Sequence, residues 1–255
     1  VTAILDPLAE RYASWLTRPA AAAHDTSDED PERVRAMPVV LRIERDPQPD
    51  RTALLEAAAA AAIAVCLAPE ASQEWYPELS DWVSGRIRKV SRRARGAHWA
   101  AVQDLPGVTV EVDGAQARAL IPYRVVETPK EVSRLQISGS ELPASTPGPV
   151  PEGAPLLWLN PTVPMTAGKA AAQVGHGTML LAALLHAEGD QARLDAWAAS
   201  GFRTAVRTPS AADWAAVNPA AAPDEAWRAH GLAVVRDAGF TEVAPGTVTV
   251  LARRP

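Results

Sequence analysis

The stretch MTAGKAAAQVGHG, residues 165–177, decides how this chain is read. It lies between the apolar run LLWLN (156–160) and the segment TMLLAALL (178–185), and so opens a helix that follows a strand. Nearly every residue in it is alanine or glycine, which suits close packing. Lys169, Gln173 and His176 break that pattern at i, i+4 and i+7, and a 3.6-residue period puts all three on one face. A cation, an amide and an imidazole in one row mark a candidate site. The Gly168-Lys169 step invites a phosphate-loop reading, but that motif needs a glycine at Val163 and a hydroxyl residue at Ala170, and it fails. What remains is a helix start with free N–H groups and a lysine beside them, a place for an oxyanion. The alternative is a solvated lysine at a helix start.

Outward from this helix, GLAVVRDAG (231–239) and GTVTVLARR (246–254) read as two strands joined through Pro245-Gly246. Asp237 emerges at the end of the first. Thr241, Thr247 and Thr249 follow, the last two on one face of a strand. A carboxylate at a strand end, near a helix-borne lysine, can orient a water or a substrate hydroxyl. Asp-Ala-Gly is also ordinary turn chemistry. Strand, helix, strand, helix, strand, strand is an α/β pattern with a mixed sheet.

The first half carries an echo of the second. Trp82 and Trp99 frame one segment, Trp197 and Trp214 another, both pairs seventeen residues apart and both ending in Trp-Ala-Ala-Val plus an amide residue. PVVLRIER (38–45) is a strand, DRTALLEAAAAAAIAVCL (50–67) a helix, and GVTVEVDGAQARALI (107–121) two strands around Asp113-Gly114. The matched order predicts a tandem duplication in which only the second copy keeps the polar face. PASTPGPVPEGAP, 143–155, holds five prolines and is a linker. The expected organisation is a helical and acidic extension over 1–36, flexibly connected, a degenerate domain over 37–142, a proline-rich linker over 143–154, and a second domain over 155–255.

Composition bounds the function. At 255 residues, 47% hydrophobic and 22% charged, the chain is globular with material for real cores. A net charge of −5 argues against a protein that coats nucleic acid. Yet RIRKVSRRAR (86–95) concentrates six cations, a field suited to a nucleic-acid backbone or a solvated face paired with acids. The single cysteine, Cys66, reads as a core thiol and points to a reducing, cytoplasmic compartment. No segment is expected to approach the apolar length of a membrane span, no leader pattern is read at the start, and the five scattered histidines show no metal-ligand spacing.

MTAGKAAAQVGHG followed by DAGFTEVAPGTVTVLA (237–252) resembles the type II, archaeal and eukaryotic, peptidyl-tRNA hydrolase family. The resemblance covers about 100 residues, 155–255. It implies a small mixed four-stranded α/β sheet with helices on both faces, needing neither metal nor cofactor, that hydrolyses the ester of peptidyl-tRNA. It places Lys169 and Asp237 on the principal catalytic positions and Thr241 and Thr249 on supporting ones. Gln173 and His176 match the helix motif, and with Gly168 and Thr247 they are assigned to substrate binding. Arg88, Arg92 and Arg95 of the basic run are assigned to tRNA. Gly177 departs from the family's alanine, and ALIPYRVVETPKEVSRLQISGSELP (119–143) looks like the family's tail attached to the first repeat. Family members commonly dimerise, so the tandem copy is expected to take the partner's place, making the chain a monomeric pseudo-dimer. A non-catalytic tRNA- or ribosome-binding module is the competing reading.

Overall fold

The computed structural model describes residues 2–217, 223 and 225–255. Asn218, the amide residue that closes the second echo, lies outside them. In chain order the elements are α1 (Asp6–Thr17), α2 (Ala20–His24), β1 (Arg35–Arg42), α3 (Arg51–Leu67), α4 (Tyr76–Ser84), β2 (Lys89–Ala94), α5 (Gly96–Val102), β3 (Gly107–Val112) and β4 (Ala115–Leu120). Then come β5 (Tyr123–Arg124), α6 (Lys130–Ser133), β6 (Leu156–Leu159), α7 (Ala167–Ala187), α8 (Gln191–Ala199), β7 (Ala205–Arg207), α9 (Ala211–Val217), α10 (Ala226–His230), β8 (Leu232–Arg236) and β9 (Val248–Arg253).

Two mixed sheets result. The first runs β2-β1-β4-β3 and the second β7-β6-β9-β8. In each, the first two strands pair in parallel and the remaining pairs are antiparallel. A parallel pair needs a crossover, and α3 and α4 supply it in one half as α7 and α8 do in the other. The tryptophan echo has a physical counterpart. Trp82 Nε1 donates to the Arg88 carbonyl and Trp197 Nε1 to that of Arg203, each six residues on. Both indoles are fully buried and staple a helix to the strand that follows it. Trp99 and Trp214 each occupy the fourth position of a seven-residue helix, α5 or α9.

The two halves share one core, because α3 packs directly on α7. Small residues allow it. A methyl group at Gly175 would stand 3.0 Å from the Ala62 Cβ, and the Thr178 hydroxyl donates to the Ala59 carbonyl at 2.8 Å. Gly177 serves the other face of α7, where an added Cβ would meet Leu157 and Val250 at 3.1 and 3.2 Å. The departure at Gly177 is therefore a fit to the sheet. Glu56, also on α3, accepts from the Val206 backbone and from Arg207, closing the seam at β7.

Two expectations need correction. Against the expectation that no segment has the apolar length of a membrane span, Arg51–Ser72 is long and apolar enough to cross one by length and composition, although most of its apolar part is buried within the protein. It is the core helix of a folded chain. The N-terminal helix, expected in a flexibly connected extension, is instead packed on the core. Leu5, Leu8, Tyr12 and Leu16 are buried, and the Val234 backbone donates to the Tyr12 hydroxyl. Its apolar stripe at three- and four-residue spacing has a partner in α7.

Candidate active site

The polar row on α7 meets the loop after β8. Lys169 Nζ donates to Asp237 Oδ2 at 2.6 Å and to Thr241 Oγ1 at 2.9 Å. Gln173 Nε2 donates to the same Asp237 oxygen at 2.8 Å, and the Gln173 carbonyl accepts from the buried Thr249 hydroxyl. The Gly239 N–H donates to Asp237 Oδ1 at 2.7 Å. Asp237 is thus gripped on both oxygens, and its side chain and that of Lys169 are each more than nine-tenths buried. Thr249 fixes the glutamine amide, and the glutamine fixes the carboxylate. The chain Thr249–Gln173–Asp237–Lys169–Thr241 is continuous, as pre-organised groups require.

Other predicted residues do different work. The Thr247 hydroxyl donates to the Ala244 carbonyl, and its own carbonyl accepts from the Asp237 backbone, so it shapes the loop. Gly168 is needed for close approach, since a Cβ there would stand 2.8 Å from Ser140 Oγ. His176 lies two turns beyond Lys169, its Nδ1 3.2 Å from Lys89 Nζ. Burial, reinforced by the charges of Lys89 and Lys169, holds its pKa well below the usual 6.5. The ring is neutral near pH 7.

The helix start is not free for a substrate oxyanion. The N–H groups of Ala167 and Gly168 donate to the carbonyl and hydroxyl of Ser140, and that of Lys169 donates to the Thr166 hydroxyl. Glu242 in turn accepts from the Thr166 N–H and hydroxyl. Ser140 belongs to the tail-like segment of the first half, so one half caps the helix of the other. Lys169 must therefore supply the full positive charge, with only the helix field behind it. Thr166→Ala is expected to lower the unfolding free energy by about 1 kcal/mol, the ordinary cost of a lost N-cap, checked by urea denaturation.

The basic run is strand β2, and most of its charge is already met. Glu29 pairs with Arg86 and Arg88, and Asp28 with Arg86. Those contacts hold the Glu29 carboxyl below its usual range. Arg92 donates to the carbonyls of Ser133 and Leu135, and Arg93 to the Ser138 carbonyl and the Gln136 amide. Arg95 precedes α5 and makes no capping bond. The acidic stretch 24–33 therefore acts as a strap across this strand. His24 continues it to the catalytic loop, with Nδ1 3.1 Å from the Ala238 carbonyl and its ring against Phe240. Arg88 lies over the other partner of that stack, 5.1 Å from the Phe240 ring centre.

These elements enclose a cleft of about 890 Å³. Lys169, Gln173, His176, Asp237 and Thr241 line one side, while Arg88 and Lys89 of the first half line the other. Among the described residues the first half has no equivalent cluster. Counting from the N-caps Asp50 and Thr166, Ala53 stands where Lys169 stands and Ala57 where Gln173 stands.

Fold and cleft together define a small α/β domain whose lysine–aspartate–threonine cluster is built from one helix and one strand-end loop. Residues 156–255, the C-terminal domain, match the family model described as peptidyl-tRNA hydrolase PTH2. The match does not extend to the first half. No curated protein and no solved structure matches the chain.

Proposed function

We propose that the chain hydrolyses the ester linking a peptide to the terminal ribose of tRNA, with Lys169 and Asp237 as catalytic residues. The observation that carries this reading is the Lys169–Asp237–Thr241 cluster of the matched domain, which opens into the cleft of about 890 Å³. Two of the three Lys169 ammonium protons are held by Asp237 and Thr241, which leaves one for a developing carbonyl oxyanion. Thr241 accepts from Lys169, so its own O–H is free to donate. Asp237 Oδ1 keeps a lone pair beyond its bond from Gly239.

In the proposed step, water attacks the ester carbonyl while Asp237 takes its proton. The tetrahedral oxyanion is held by Lys169, and the intermediate collapses with cleavage of the bond to the ribose oxygen. That oxygen leaves with the proton returned from Asp237. The hydroxyl beside Lys169 and Asp237, that of Thr241, accepts from the ammonium, and the Thr166 hydroxyl that donates to Glu242 is taken up in capping α7, which favours direct water attack over an acyl-enzyme. Asp237→Asn preserves the shape of the cluster but cannot accept the proton. It is expected to slow release of an N-blocked amino acid from its tRNA at least a hundredfold with little change in KM. An unchanged rate would remove Asp237 from the mechanism.

The strap bears on tRNA binding. Arg86 and Arg88 are paired with Asp28 and Glu29, so a tRNA phosphate has to displace those acids. Glu29→Gln is expected to tighten tRNA binding and to steepen the log–log salt dependence by about 1 to 2, because each freed arginine adds a counterion-releasing contact. Filter binding at several salt concentrations measures both. An unchanged slope would leave the arginines outside the tRNA site.

A further inference from the structure

Strand β2 turns two residues of the first half, Lys89 and Ser91, towards the cleft of the second. They sit at i and i+2, hence on one face of the strand and about 7 Å apart. The Lys89 stem lies over Gly175, where only a glycine leaves room, since a Cβ would stand 3.2 Å from its Cδ and Cε. Its ammonium rests 5.0 Å from the Trp82 ring centre and bonds His176 Nδ1. Among the described residues no carboxylate pairs with it. Ser91 is 8% exposed, and its hydroxyl has no hydrogen-bond partner among the described residues.

Both features are costly in a folded protein. A half-buried cation without a counter-ion gives up solvation that its contacts with a neutral imidazole and an indole only partly restore, and a buried hydroxyl without a partner gives up more. Both costs are removed by the same ligand, an anion with more than one acceptor oxygen. His176 supplies a third donor. With Nδ1 accepting from the Lys89 ammonium, the neutral ring carries its proton on Nε2.

We infer that Lys89, Ser91 and His176 form an oxyanion site across the seam between the two halves, and that it takes a phosphodiester of a nucleic-acid 3′ end. The identity of that phosphodiester rests on the peptidyl-tRNA reading; the oxyanion site itself does not. A phosphodiester offers two unesterified oxygens, enough to accept from Lys89 and Ser91 together. The site lies beside Lys169 on the same helix face, where a nucleotide next to the scissile ester would pass. In this arrangement the degenerate half holds the substrate while the other half cleaves it.

Burial pushes the Lys89 pKa down to about 7. The groups facing it are the Cys66 thiol from α3, pushed up to about 12 by burial, and His176 and Lys169 from α7, with Arg88 beside it on its own strand. None of these is an anion near neutral pH, and the two carboxylates that line the same cleft, Asp237 and Glu242, are bonded to Lys169 and Gln173 and to Thr166. Binding should then be tight below pH 7, where Lys89 is charged, and weaken as pH rises through 7, where the free protein has lost that proton.

The test measures dissociation constants of the full chain for the trinucleotide CCA and for inorganic phosphate between pH 6 and 9. Expected for the unmodified chain is CCA binding that weakens above pH 7. Lys89→Met should weaken it at least tenfold at pH 6.5 and remove the pH dependence, while Lys89→Arg should keep the affinity and lose only the dependence. Ser91→Ala should weaken binding about tenfold with thermal stability unchanged or raised, a combination that a purely structural serine would not give. Unchanged CCA affinity in both Lys89→Met and Ser91→Ala would overturn the site. Inorganic phosphate bound as tightly as CCA would overturn the assignment to nucleic acid. If Lys89-dependent CCA binding is found without any peptide release, the hydrolase reading fails and the oxyanion site stands. Release that is indifferent to Lys89 gives the reverse.

Discussion

Replacing Lys169 by alanine is expected to lower the rate of peptide release at saturating substrate by about 10²–10³-fold, the usual effect of removing one pre-organised oxyanion donor. The ammonium is the only full charge beside the expected oxyanion on its own helix, and the backbone donors of the helix start are already taken by Ser140 and Thr166. tRNA affinity should change little, because the contacts proposed to hold tRNA, the arginines of the basic run with Lys89, Ser91 and His176, do not include Lys169. Single-turnover and steady-state rates on an N-blocked aminoacyl-tRNA separate the two effects. A loss of affinity with kcat preserved would make Lys169 a binding residue.

The second large effect concerns the half without the catalytic cluster. Trp82→Ala should lower the unfolding free energy by about 3–5 kcal/mol, the range for truncating a large buried aromatic. Trp82 is 1% exposed, so a cavity results, and the Arg88 carbonyl loses one of its two bonds, keeping the one from the Met37 N–H. Because α3 and α7 share one core, both halves should unfold in a single transition. Denaturation followed by fluorescence and by far-ultraviolet circular dichroism tests this. Two transitions, with the C-terminal half keeping its original midpoint, would show that the halves are separately stable.

The parts of this molecule legible in sequence are those encoded locally. The Lys169, Gln173, His176 row follows from helical period, and Asp237 at a strand end follows from LAVVRD. Spacing of the tryptophans anticipated two sheets of one strand order, which the pairing of β1 with β2 and β6 with β7 displays. Common descent of the halves is our proposal, resting on that shared topology and on the matched indole hydrogen bonds.

What sequence did not reveal depends on contacts between distant segments. Ser140 and Gly168 are 28 residues apart, and no local pattern announces that a hydroxyl of one half will fill the helix start of the other. Lys89 was visible only as one cation among six. Its separation from the arginines comes from the strand, which turns it and Ser91 inward while Arg88 and Arg92 find acceptors elsewhere. The acidic stretch 24–33 was legible as charge, and RIRKVSRRAR as its opposite. Complementary sign was the available clue that one would strap the other. The amphipathic stripe of α1 was equally plain, but the surface that receives it is made by α7, more than 150 residues away.

The most direct test of the account is whether the purified full chain, with no other protein present, releases the N-blocked amino acid from its tRNA. The account predicts release as the free acid with tRNA left intact to its 3′ hydroxyl, and with one atom of labelled oxygen from water in the new carboxylate. Stable binding of the aminoacyl-tRNA with the ester uncleaved would contradict it and would make the protein a binding module.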